Sequence, residues 1–96
     1  MEILNWVENW YSNQCDGEWE HAYGITISTI DNPGWTVEID LKDTELQGYQ
    51  KDYHLVEISE NDWYGISVKD DLFRASGDEK KLHFLLEKFR ELVEST

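Results

Sequence analysis

Residues 23–41 read YGITISTIDNPGWTVEIDL. Tyr23, Ile25 and Ile27 alternate with Gly24, Thr26 and Ser28. Trp35, Val37, Ile39 and Leu41 alternate in the same way with Thr36, Glu38 and Asp40. A period of two sends successive side chains to opposite faces, so both runs read as half-buried strands. Between them, Asp31-Asn32-Pro33-Gly34 predicts a tight turn. Proline presets φ, glycine supplies a positive φ, and Asp31 accepts a local backbone N–H. The stretch therefore predicts an antiparallel hairpin with one apolar face and one small, polar or acidic face.

Upstream, Ile3, Trp6, Val7 and Trp10 fall at helical spacing, with Tyr11 beside them, predicting a helix over 2–14. Asp16-Gly17 reads as its stop, because glycine accepts the left-handed conformation that ends many helices. Downstream, residues 42–52 are polar and predict a loop pinned by Leu46. Residues 53–59 predict a third strand with two open registers, either Val56 and Ile58 inward or Tyr53 and Leu55 inward. Residues 63–69 predict a fourth strand, and Asp70-Asp71 a turn into a short fifth around 72–75. Leu82, Leu85, Leu86, Phe89, Leu92 and Val93 then form an apolar helical stripe, preceded by Ser76-Gly77-Asp78-Glu79 in the form of a capping box.

The pattern predicts an α+β fold of two layers. An N-terminal helix, an antiparallel meander of four to five strands and a C-terminal helix follow in order, with both helices covering one sheet face. The other face is left open and carries Thr26, Ser28, Glu38, Asp40 and Trp63, flanked by Gly24 and Gly65.

Ninety-six residues, 40% of them apolar and only one a proline, fit one folded domain spanning 1–96. The formal net charge is −13. Its distribution is uneven: residues 1–41 hold Glu2, Glu8, Asp16, Glu18, Glu20, Asp31, Glu38 and Asp40, and no Lys or Arg. Such a field repels nucleic acid and anionic membrane and accelerates encounter with a basic partner. Cys15 is the single cysteine, which rules out an internal disulfide and predicts a reducing, cytoplasmic setting. The N-terminal residues lack the positive charge and apolar run of a signal peptide, and no stretch reaches bilayer-spanning length.

The densest cluster of chemically capable residues is CDGEWEH, residues 15–21. Cys15 has acidic neighbours, which raise a thiol pKa, and no nearby base in sequence. Sulfur transfer would also need an anion-cradling loop on a parallel sheet, which the pattern lacks. The spacing contains no paired C-x-x-C or H-x-x-x-H, and Asp16-x-Glu18-x-Glu20 lacks the glycine and distal glutamate of a calcium loop. The stretch therefore predicts no enzyme, metal or cofactor. It predicts instead a protein-binding surface in which Asp16, Glu18 and Glu20 surround Trp19, either as an aromatic anchor or as a lid that closes the core edge. Glu38, Asp40 and Trp63 on the open sheet face extend the candidate contact set. The rival reading is a small enzyme or ligand-binding domain built on Cys15 and His21.

The run from Trp10 to Leu46, with its CDGEWEH and DNPGW blocks, resembles the immunity protein 53 family of bacterial polymorphic toxin systems. E-x-S-E-N-D-W over 57–63 and the leucine-rich C-terminal helix extend the resemblance over nearly the whole chain. It implies a small cytosolic protein encoded beside a toxin, which it binds and neutralises in the producing cell. A basic, nuclease-like cleft is the toxin feature that an acidic inhibitor would block. A homodimer through the open face or an edge strand is compatible with that role.

Overall fold

The computed structural model describes all of residues 1–96. The chain forms α1 (Ile3–Gln14), α2 (Trp19–Ala22), β1 (Ile25–Ile30), β2 (Gly34–Asp40), β3 (Lys51–Ser59), β4 (Asp62–Lys69), β5 (Leu72–Gly77) and α3 (Leu82–Glu94). The five strands make one antiparallel sheet, and α1 and α3 pack together over one of its faces. This is the expected α+β architecture.

Strand order within the sheet is β1-β2-β5-β4-β3. The chain leaves β2 through the 41–50 loop and begins β3 at the far edge. It then returns strand by strand until β5 pairs with β2. The loop is anchored by Leu46, which is buried as its sequence position predicts.

Alternation places Val37, Ile39, Ile66, Val68, Phe73 and Ala75 beneath α3, where Leu85, Leu86 and Phe89 meet them. Phe89 is fully buried and sits at the centre of an edge-to-face group. Its ring lies 4.9 Å from Trp10, 5.1 Å from Phe73 and 6.0 Å from Trp6. Such pairs add about 0.5–1.5 kcal/mol each beyond the burial itself. Trp10 also donates from Nε1 to the Glu45 carboxylate at 2.7 Å, which joins α1 to the long loop.

Several local expectations change. Gly34 does not supply a positive φ to the first hairpin turn. It opens β2, where an added Cβ would strike the Gly77 carbonyl oxygen, so the glycine is there for close strand approach. The turn itself is Asp31–Pro33, with a cis Asn32–Pro33 peptide. The Ser76–Glu79 capping box does not form. Ser76 stays in β5 and its hydroxyl pairs with that of Thr36 at 3.2 Å. Asp78 takes over the junction, accepting from the Trp63 and Lys80 N–H groups and from Lys81 Nζ.

Of the two expected registers, strand β3 takes the one that turns Val56 to the helix side, where it is half-buried opposite Tyr64, and leaves Tyr53 and Leu55 on the open side. The strand is an edge that overhangs the helix layer, so Ile58 stays 73% exposed and Tyr53 62%. By contrast, Asp70 and Asp71 do make the expected tight turn. Their φ values of 54° and 59° match the left-handed pair that a two-residue hairpin loop requires.

Candidate functional site

Helix α1 ends at Gln14, and Cys15 follows in extended conformation as its cap. Gly17, with φ of 94°, then turns the chain into the short helix α2. The carboxylates of this segment build it. Asp16 Oδ1 accepts the N–H groups of Glu18 at 3.0 Å and Trp19 at 2.9 Å. Glu20 accepts those of Asp16 at 3.0 Å and Gly17 at 2.9 Å. Backbone donors from Trp19 and Glu18 hold Asp16 below the usual carboxylate range. Glu20 is lowered by its own backbone N–H and by those of Asp16 and Gly17. Both therefore stay ionised, and Glu18 beside them is exposed, its carboxylate without a hydrogen-bond partner.

Trp19 takes the position of a lid on the core edge. It is 4% exposed, packs edge-on against Trp10 and Tyr11, and donates from Nε1 to the Lys42 carbonyl at 2.8 Å. A tryptophan beside so small a core contributes more as a lid than as a contact.

That bond draws α2 to the end of β2. Asp40, the last residue of β2, accepts the Gly24 N–H at 3.0 Å, just before β1. The Leu41 N–H donates to the Asp71 carbonyl at 2.7 Å, and the Gly48 N–H to the Asp71 carboxylate at 2.8 Å. The α2 segment, the end of β2, the 41–50 loop and the β4–β5 turn therefore meet at one end of the sheet. Asp16, Glu18, Glu20 and Asp40 are joined there by Asp43, Glu45, Asp70 and Asp71. The last four are missing from the sequence reading because they look like ordinary turn residues. The Asp70-Asp71 turn is legible in sequence, but only the strand order shows where these residues gather.

The remaining candidates are separated. Glu38 faces the open side of the sheet and meets Arg74 at 3.6 Å, so that face is mixed in charge. Asp40 aligns with Leu72, and Leu72 with Lys69 on β4. Trp63 lies six residues back along β4, about 20 Å from that position by strand rise. It stands half-buried at the opposite end of the open face, beside Tyr53 and Leu55. Tyr53 lies across Gly65, whose missing side chain makes room for its ring.

Cys15 and His21 share no hydrogen bond. The thiol donates to the Tyr11 carbonyl at 3.3 Å, and His21 is exposed. No group of three or more His, Cys, Asp or Glu side chains has metal-holding geometry. No helix is long and apolar enough to cross a membrane.

No curated protein and no solved structure matches the chain. The family model for immunity protein 53 matches residues 4–94, leaving only the extreme terminal residues outside it. The chain belongs to the immunity protein 53 family.

Proposed function

We propose that the chain neutralises its cognate toxin by setting the acidic end of its sheet into a basic, nuclease-like active cleft. A cleft that holds phosphates is lined by Lys and Arg, and fixed carboxylates compete for the same positions. Family membership supplies the toxin as the partner. The observation that carries the choice of surface is the meeting of α2, Asp40 and the Asp70-Asp71 turn at one end. Asp16 and Glu20 hold that shape through their own backbone hydrogen bonds, so little ordering remains when a partner arrives. The reading places the protein in the cytoplasm of the producing cell and assigns it no chemistry of its own.

Neutralising Asp16 and Glu20 would unravel α2 as well as discharge it. A cleaner variant combines Glu18→Gln, Asp43→Asn and Asp70→Asn. None of these carboxylates bonds another residue, and asparagine tolerates left-handed backbone. Cells expressing the toxin domain encoded beside the chain should lose protection with this variant while its melting temperature holds. Full protection by the variant would move the contact elsewhere.

A further inference from the structure

The two edges of the sheet differ in chemistry. Edge strands usually carry charges, bulges or proline, because their unpaired N–H and C=O groups invite another strand. β3 carries all but the last: its pairing with β4 is irregular near both ends, and Lys51, Asp52 and Glu57 lie along it. β1 reads ITISTI, with no charge, no proline and an unbroken register against β2. Its four central residues are exposed.

Antiparallel pairing fixes which backbone groups are free. The Asp40 N–H donates to the Gly24 carbonyl, so hydrogen-bonded pairs recur at Thr26–Glu38, Ser28–Thr36 and Ile30–Gly34. Ile25, Ile27 and Thr29 therefore turn their N–H and C=O groups outward. Their side chains point to the helix side, where a groove of roughly 350 Å³ runs between α1 and β1. Val7, Tyr11, Gly24 and Ile25 line it, with Glu8 at its rim, and neighbouring Ile27 is 43% exposed.

We infer that β1 is a docking edge for an extended segment of the toxin carrying alternating apolar and basic residues. The inference rests on the proposed reading for the identity and basic charge of the partner. A strand added outside β1 lies about 4.8 Å away and alternates its side chains between the two faces. Apolar residues on one side would cover Ile25 and Ile27 and enter the groove. Basic residues on the other would lie beside Thr26 and Ser28, about 10 Å from Glu38, within reach of a Lys or Arg stem that would compete with Arg74 for its carboxylate. Charge selects against a second copy as occupant. Each chain carries −13, and the α1–β2 part that would face itself contains no Lys or Arg. The edge also supplies what a purely acidic surface lacks, since charge raises association rate more than affinity.

The test uses the full chain and a short synthetic peptide of alternating Ile and Lys, followed by amide hydrogen exchange. Controls are a peptide of the same composition in two blocks and an alternating peptide N-methylated on every second residue. The alternating peptide should slow exchange at Ile25, Ile27 and Thr29 by about tenfold or more, and the controls should not. Thr29→Pro removes an outward N–H without touching the β2 ladder and should abolish that protection. Ile27→Lys, which changes only an exposed side chain, should weaken it. Equal protection by the block peptide, protection at β3 instead, or no protection overturns the inference. So does a dimer of the free chain with the same three amides already protected. Binding of the toxin domain measured beside the peptide separates the two readings. Toxin binding unaffected by Thr29→Pro rejects the edge alone, whereas peptide pairing without toxin binding rejects the proposed function and, with it, the toxin as the occupant of the edge.

Discussion

The Asp16 N–H donates to the Glu20 carboxylate at 3.0 Å, while Asp16 itself accepts from the Trp19 N–H at 2.9 Å. Glu20 thus holds the Asp16 backbone, and Asp16 in turn holds the backbone of Glu18 and Trp19, closing one turn around Gly17. Each has its pKa lowered, so the stabilisation they give is complete above the usual carboxylate range. It is lost as pH falls through their depressed values. Asp16→Ala or Glu20→Ala should loosen α2 locally. Limited proteolysis should then cut near Gly17, with the acid sensitivity of that cut reduced in each variant and removed only when both are combined.

A second acidic junction behaves differently because it is buried. Asp78 is 2% exposed, and burial alone would raise its pKa. Lys81 and the Trp63 and Lys80 N–H groups overcome that and hold it at about 2. Its contribution should persist down to about pH 4 and fall away as pH approaches 2. Lys81 also meets Asp62 at 2.7 Å, and its pKa is raised, so its share is lost only above the ordinary lysine range. Lys81→Met strands the buried Asp78 charge and should cost about 3–5 kcal/mol in urea unfolding.

Two glycines separate steric need from convenience. An added Cβ at Gly34 meets the Gly77 carbonyl, which is sheet backbone and cannot move aside. At Gly65 it meets the Tyr53 side chain, which is 62% exposed and can swing into solvent. Gly34→Ala should therefore destabilise by about 2 kcal/mol or more, and Gly65→Ala by less than about 1 kcal/mol. Thermal melts of the two variants provide the comparison.

Phe89 joins both layers through Trp10, Trp6 and Phe73. Phe89→Ala should cost about 3–5 kcal/mol, because the surrounding rings cannot collapse into the space. A fall in melting temperature under about 5 °C would mean that α1 and α3 repack.

The hairpin and the last helix are legible in sequence because each has a buried face that forces a period. Strand β3 is not, since an overhanging edge with only Val56 half-buried leaves too little core contact to impose a readable pattern. The false capping box at Ser76–Glu79 arises from a similar ambiguity. Ser76 fits a helix start by composition, but β5 continues through it to pair with both β2 and β4. Half of the acidic end was legible, at Asp16, Glu18, Glu20 and Asp40. The other half, Asp43, Glu45, Asp70 and Asp71, reaches them only through a strand order that local patterns do not encode. The sequence leaves Trp19 open between anchor and lid for a related reason: its partners Trp10 and Lys42 lie on elements whose packing no spacing reveals.

The association rate with the toxin domain, followed across ionic strength, tests the acidic end most directly. The Glu18→Gln, Asp43→Asn, Asp70→Asn variant should associate about tenfold more slowly at low salt. Its rate should converge with that of the unaltered chain near 1 M, where screening shortens to about 3 Å. Equal rates and equal salt slopes for the two proteins would contradict the account.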